Sequence, residues 1–243
     1  MKQIAFITGS SRGIGRAIAL RLAKEGYQII LHGSQMSQAL EDTEKEIKKL
    51  KALAMTVCFD VSKKSEVESS CTTILKKVGT VDVLVNNAAI MRDKTFLGMS
   101  EQIWDDVIKT NLYGPFHVTQ QFLPQMKNNR YGRIINIGSI AGERGAFGKT
   151  NYAAAKAGLI GLTKSLALEV GKYQITVNAV CPGYIDTEMS KSIPDLYRKQ
   201  FLSQIALGRI GTPSEVAHMV ASLASPNASY ITGAVIDVNG GWL

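Results

Sequence analysis

The sequence predicts an α/β fold, a doubly wound parallel sheet of about seven strands with helices on both faces, in which residues 1–243 form one domain. Three observations predict it. Short apolar runs recur along the chain without the polar alternation of a half-exposed strand, so their strands are buried on both faces. Longer stretches between them carry apolar residues at helical spacing, with Lys and Glu opposite. The composition, 45% hydrophobic against 20% charged, is ample for one core, and no linker, repeat or low-complexity tract divides the chain.

In order, the first strand is Ile4 to Thr8. The turn Thr8-Gly9-Ser10-Ser11-Arg12-Gly13-Ile14-Gly15 follows and opens a helix with Ile14, Ile18 and Leu22 on one face. A second strand, Gln28 to His32, leads to a helix with Leu40, Ile47 and Leu50 inward, and a third strand covers Ala54 to Phe59. Val81 to Asn86 is the fourth; a helix from Ser100 to Met126 separates it from the fifth, Arg133 to Ile137. Ile175 to Val180 and Val235 to Val238 complete the sheet. Ligands of such sheets bind outside the carboxyl ends of the strands. Gly9, Asp60, Asn86, Ser139 and Pro182-Gly183 fall at five of those ends.

The motifs at those ends carry chemistry. Three glycines between a strand and a helix allow a tight turn and close backbone approach to a pyrophosphate, which the helix N-terminus attracts with unpaired N–H groups. No Gly-Lys-Ser/Thr triplet follows, which excludes a P-loop. Tyr152 and Lys156 stand four residues apart, on one helical face, with the Ser139 hydroxyl upstream. An ammonium near a phenol favours its phenolate. A drop of about three units from the ordinary tyrosine value corresponds to about 4 kcal/mol and makes the phenol a proton donor usable near neutrality.

Taken together, Thr8-Gly9 with Gly13-Ile14-Gly15, Asp60-Val61, Asn86-Asn87-Ala88-Ala89, Asn111, Ser139, Tyr152 with Lys156, and Pro182-Gly183 resemble the short-chain dehydrogenase/reductase family, from Lys2 to the C-terminus. The resemblance implies a Rossmann-like fold and a nicotinamide cofactor. The segments Asn151 to Ala167, Ile175 to Val180 and Val238 to Gly241 look most like the bacterial branch that reduces 3-oxoacyl thioesters on acyl carrier protein, with acetoacetyl-CoA reductases almost as close. Other short-chain alcohol or sugar dehydrogenases share the catalytic set. A cofactor-binding sensor is the non-enzymatic alternative, but such sensors typically lose the tyrosine or lysine, and both are present.

Cofactor choice follows from a missing acid. An NAD site usually places Asp or Glu about 20 residues beyond the glycine turn. Here Leu31-His32-Gly33-Ser34-Gln35 holds none, and the next acid is Glu41. Arg12 resembles the basic residue that NADP-specific members hold against the 2′-phosphate, and Ser34 adds a hydroxyl, so NADPH is expected. By the same resemblance, Gly9, Ser11, Gly13, Ile14 and Gly15 cradle the diphosphate, and Asp60 and Val61 contact the adenine. Asn87 and Ala88 line the adenosine ribose, while Pro182, Gly183, Ile185 and Thr187 meet the nicotinamide. Tyr152 gives the carbonyl oxygen its proton, Ser139 polarises it, Lys156 holds the nicotinamide ribose and lowers the acidity constant of Tyr152, and Asn111 anchors a water that relays protons to Lys156.

Other features bound the partners. Gly138-Ser139-Ile140-Ala141-Gly142 is not a nucleophile elbow, and no histidine or acid completes a hydrolase triad. His32, His117 and His218 lack metal-ligand spacing with one another or with the cysteines; Cys58, Cys71 and Cys181, scattered among apolar neighbours, read as packed, reduced thiols. The net charge of +8 comes without the aromatic-basic interleaving of a nucleic-acid surface. It suits an acidic partner: Arg130 matches a family position for carrier-protein docking, while the second docking arginine is replaced by Tyr173 beside Lys172. No apolar run spans a membrane and no secretory h-region opens the chain, so a cytoplasmic protein is expected. Residues 187–211, with Met189, Ile193, Leu196, Phe201 and Leu202, have the pattern of an amphipathic lid. The family implies a homotetramer, in which Trp242 and Leu243 would be covered.

Overall fold

A computed structural model describes residues 2–52, 54–188 and 202–242. Its sheet has seven strands in the order β3-β2-β1-β4-β5-β6-β7, and every neighbouring pair is parallel. The strands are β1 (Ile4–Ile7), β2 (Gln28–Gly33), β3 (Ala54–Cys58), β4 (Val83–Asn86), β5 (Gly132–Ile137), β6 (Ile175–Pro182) and β7 (Val235–Val238). All seven match sequence expectations to within two residues. Asn86 closes its strand as expected, whereas β6 runs two residues further than expected and ends on Pro182. Every residue of β1, β4, β5 and β6 is buried, as unbroken apolar runs require, whereas the edge strand β7 is only partly covered.

The period of two along a strand divides the core into two layers. Ile7, Leu31 and Val85 face α1 (Gly13–Lys24), α2 (Gln38–Lys49) and the helix Pro213–Ala224, packing against Ile18, Leu22, Ile47, Val216 and Val220. Phe6, Leu84 and Ile134 face the opposite helices α3 (Lys64–Val78), α5 (Gly114–Asn129) and α7 (Thr150–Val170), against Val67, Ile74, Val118, Phe122 and Ala167. The short helices α4 (Glu101–Ile108) and α6 (Ala141–Arg144) lie between these, and Pro213–Ala224 is labelled α8.

Side-chain caps begin three of the described α-helices. Ser37 caps α2, Ser100 caps α4, and Thr212 with Glu215 forms a reciprocal capping box on α8. By contrast, α1 and α7 begin at Arg12 and Lys149, neither of which caps by its side chain, and neither first turn holds an acid.

Three expectations need correction. The helix expected from Ser100 to Met126 is interrupted: after α4, Lys109–Tyr113 forms a π-helical turn before α5 continues to Asn129. Asn111 sits in that turn and fixes it, because its amide bonds Ile90 on a neighbouring loop. Leu50 ends α2 at 40% exposure, since the helix stops before its side chain turns inward. Cys71 and Cys181 are packed, but Cys58 is exposed on β3 beside the sheet edge.

No helix among the described residues is long and apolar enough to cross a membrane. Of the lid pattern, Met189, Ile193, Leu196 and Phe201 lie outside the described residues; Leu202 is partly covered, and an Ile185–Gly211 bridge ties the two ends of the 187–211 segment.

Candidate active site

A cleft of about 1290 Å³ opens along the carboxyl ends of the strands. That exceeds the roughly 300–1,000 Å³ of ordinary small-molecule sites and leaves room for a dinucleotide with a second molecule beside it. Gly9, Ser11, Arg12, Gly13, Ile14, Gly15, Ser34, Asp60, Val61, Asn87 and Ala88 line one end. Ser139, Tyr152, Lys156, Pro182, Gly183, Ile185 and Thr187 line the other. Of the expected site residues, Asn111 alone is not in the wall.

The glycine end is built by close approach. Gly9 turns at φ +64°, and a Cβ there would lie 2.9 Å from the Ala88 Cα. A Cβ on Gly15 would overlap the Gly9 carbonyl oxygen and the Asn87 amide. Those groups are bonded to each other: Asn87 Nδ2 donates to the carbonyls of Thr8 (2.8 Å) and Gly9 (2.9 Å). The Thr8 hydroxyl accepts from Asn87 N (2.9 Å) and Ala88 N (3.0 Å), so one threonine joins the ends of β1 and β4. Beyond the turn, the first N–H groups of α1 have no side-chain cap, which leaves a positive helix end facing the cleft. Uncapped donors beside an arginine and without an acid fit a phosphate.

The adenosine end differs in detail from expectation. Asp60 Oδ1 accepts from Ser62 N (2.9 Å) and Ser62 Oγ (2.8 Å), so that oxygen holds its own loop while the residue still borders the cleft. Ser34 is exposed at the rim. Arg12 reaches across the mouth to Glu188, Nη1 to Oε2 at 2.8 Å. Asn86, next to Asn87, turns the other way: its amide donates to Asn136 Oδ1 (2.8 Å) and Thr119 Oγ1 (3.1 Å) under the sheet, and Asn136 donates to Thr163 Oγ1 (2.9 Å) on α7.

At the other end, Ser139 and Tyr152 both line the cleft, near enough for the serine to draw the phenol down, and Ser139 Oγ accepts from Ala141 N at 3.1 Å. Lys156, 3% exposed, donates from Nζ to the Ile137 carbonyl at 2.6 Å and lies 5.6 Å from the centre of the Tyr152 ring. Burial pushes the Tyr152 phenol up to about 12; Ser139 draws it down and Asp93 adds to the rise. Burial also pushes the Lys156 ammonium down to about 8. The expected lowering of the phenol by Lys156 is therefore absent from this arrangement. Desolvation wins on both groups, and the ammonium is drawn to a backbone carbonyl.

Asn111 is fully buried, and both ends of its amide are engaged: Oδ1 accepts from Ile90 N and Nδ2 donates to Ile90 O, both at 2.9 Å. Its side chain is held by this backbone. Trp242 packs 5.1 Å under the Arg144 guanidinium, and its indole donates to Gln204 Oε1 at 3.1 Å beside the cleft. Leu243 lies outside the described residues. Away from the cleft, Arg130 donates to the Lys172 carbonyl (3.1 Å), while Lys127 and Lys172 flank the Tyr173 ring and lower its phenol, Lys127 first.

A family profile described as enoyl-(acyl carrier protein) reductase matches residues 9–243. The 3-oxoacyl-[acyl-carrier-protein] reductase FabG of Staphylococcus aureus is 46% identical over 241 residues, covering 99% of this chain and 98% of that protein. The chain belongs to the short-chain dehydrogenase/reductase family. The FabG proteins of Aquifex aeolicus and Vibrio cholerae are each 45% identical over 239 residues, covering 98% of this chain and 96% of theirs. As a member of this family, the chain is an oxidoreductase that works with a nicotinamide cofactor.

Sequence reading missed the roles of Asn136 and Thr163, whose amide and hydroxyl tie β5 to α7 behind the wall, and of His32 under the glycine turn. For Asn136 and His32 the signal was a polar residue inside an apolar strand; Thr163, on α7, had none. Phe147, 93% exposed at the rim, was also missed.

Proposed function

We propose that this chain reduces 3-oxoacyl thioesters on acyl carrier protein to 3-hydroxyacyl thioesters with NADPH, as a step of fatty acid biosynthesis. The observation that carries the reading is the Ser139–Tyr152 hydroxyl pair beside buried Lys156, in one cleft with the glycine turn. Two O–H donors in one part of the cleft suit a ketone oxygen, which accepts two hydrogen bonds as it gains negative charge. The names of the FabG relatives support the ketone substrate. The family profile's description names a carbon–carbon double bond instead, so an enoyl thioester is the second reading to test.

When bound, the nicotinamide supplies the hydride. Tyr152 holds its proton throughout the neutral range and releases it to the carbonyl oxygen only as that oxygen becomes an alkoxide. Ser139 holds the same oxygen in place. Lys156 is the buried cation beside the Tyr152 ring, and the phenolate left behind regains its proton from solvent. Asn111 acts through position: by clamping Ile90 it holds the cleft wall opposite Tyr152. For the cofactor, Arg12 at the cleft and the lack of an acid in Leu31 to Gln35 support NADPH over NADH. Residues 1–243 work as one cytoplasmic unit in a homotetramer, with 187–211 as the substrate lid and Arg130 and Lys172 receiving the acidic carrier protein.

The test is absorbance-followed oxidation of NADPH and of NADH with acetoacetyl-carrier protein, acetoacetyl-CoA and crotonyl-carrier protein at matched concentrations. Turnover fastest with NADPH and acetoacetyl-carrier protein supports the assignment. Preference for the CoA thioester moves the chain to acetoacetyl-CoA reduction, and turnover confined to the crotonyl substrate overturns the ketone reading.

A further inference from the structure

We propose that His32 is a positioning residue for the cofactor, a neutral imidazole that sets the glycine turn and the adenine-side strand end at once. The inference rests on the cleft being the nicotinamide-cofactor site. His32 is the next-to-last residue of β2; it borders the cleft but is only 2% exposed, so little of its ring is open to a ligand. Its influence passes through the backbone on either side. Nδ1 accepts from Gly9 N at 3.0 Å, and Nε2 lies 3.0 Å from the Phe59 carbonyl oxygen. The Gly9 N–H can only donate and the Phe59 carbonyl can only accept, so these partners fix one tautomer: bare Nδ1, protonated Nε2.

The backbone of the same residue extends the hold. Ser10 N donates to the His32 carbonyl (2.9 Å), and His32 N donates to Ser10 Oγ (2.9 Å). Three successive amides entering the turn are thereby fixed: Thr8 N on Val85 O, Gly9 N on the His32 ring and Ser10 N on the His32 carbonyl. Asn87 holds the carbonyls of the same segment from the other side. Phe59 directly precedes Asp60 and Val61, and its ring packs 4.3 Å from the imidazole, with Phe6 at 6.0 Å. One side chain thus sets the distance between the diphosphate turn and the adenine end, two parts of the wall that a dinucleotide must touch together. Effective binding by preformed donors depends on such spacing.

The two ring nitrogens can be separated by mutation. Asparagine places its Oδ1 near the position of Nδ1 and keeps an acceptor for Gly9; glutamine reaches toward Nε2 and keeps a donor for Phe59; leucine keeps neither. The experiment measures the Kd of NADP+ by fluorescence titration, steady-state KM and kcat, and hydrogen exchange at Gly9 in the free full-length protein, for wild type, His32→Asn, His32→Gln and His32→Leu. The expected result is a Kd raised on the order of tenfold or more in His32→Leu, with the loss falling on KM far more than on kcat and with faster exchange at Gly9. His32→Asn restores Kd to within about threefold of wild type, the cost of its shorter reach. A leucine variant with wild-type Kd overturns the proposal, as does an asparagine variant as weak as the leucine one while both retain the wild-type melting temperature. A wild-type protein that binds no pyridine nucleotide instead overturns the reading of the cleft on which the proposal rests.

Discussion

Tyr152 and Lys156 share one enclosure yet are pushed in opposite directions, the phenol toward holding its proton and the ammonium toward losing its own. Replacing Tyr152 by Phe removes the proposed proton donor beside Ser139. We expect kcat to fall by about 10²–10⁴ while the NADPH Kd stays within about threefold, checked by steady-state rates alongside titration. With Lys156 near 8, the cation is present below that pH and lost above it, so ketone reduction should decline as pH rises through about 8. A profile flat from pH 7 to 10 would remove Lys156 from proton transfer. His32 gives a second pH effect. Burial lowers it from 6.5 to about 4 in the fold, opposed by the Phe59 carbonyl and, more weakly, by Asp60. Between those values the unfolded chain binds the proton more tightly. The stabilisation is therefore complete above about pH 6.5 and is lost as pH falls toward 4, by up to about 3 kcal/mol. Urea midpoints measured from pH 7 to 4 should fall more steeply in wild type than in His32→Asn. At this scale the residues whose function needs a chemical type at a fixed spacing, such as Tyr152 with Lys156, were legible in the sequence. His32 was not, because nothing in a linear string says which backbone amide an imidazole in a strand will meet.

The turn between β1 and α1 is the element on which the cofactor end depends. A methyl group at Gly15 would press into the Gly9 carbonyl and the Asn87 amide, both already bonded to each other. Gly15→Ala should cost about 1–3 kcal/mol and weaken NADPH binding on the order of tenfold, read by thermal melting and titration. The Arg12–Glu188 pair lies at the mouth of the same turn, with both side chains largely exposed, so it is a weak and salt-sensitive tie. If Arg12 receives the 2′-phosphate, Glu188 competes for it. Glu188→Gln should therefore tighten NADPH a few-fold at low salt and leave NADH unchanged, and equal gains for both cofactors would remove Arg12 from phosphate recognition. Strands were easy to read here because burial on both faces writes an unbroken apolar run. The break between α4 and α5 was invisible: the π turn is stabilised by Asn111 reaching Ile90, a contact between segments 21 residues apart. The missing caps on α1 and α7 were visible in the sequence as Arg12 and Lys149, and both open onto the cleft.

Across the whole molecule, apolar side chains remain uncovered on the flanks: Tyr113 and Phe116 near the start of α5, Leu168 near the end of α7, and Tyr230 and Ile231 before β7. A homotetramer using these helices and the last strand would cover them. Light scattering on the eluting protein should give about four times the 26.4 kDa chain mass; a stable monomer would overturn the oligomeric reading. The fold class was legible at this scale from alternating strand and helix patterns, but the strand order was not, since sequence order does not say which strand joins an existing edge. That order has a consequence for synthesis. β1, the first strand made, ends between β2 and β4, and its Ile7 waits for Val85. At about 5–20 residues per second, the ribosome needs on the order of 4–16 s to supply those intervening residues. For that interval the most apolar edge of the nascent chain has one neighbour and an open side, so the strand that anchors the finished sheet is the one a chaperone has longest to guard.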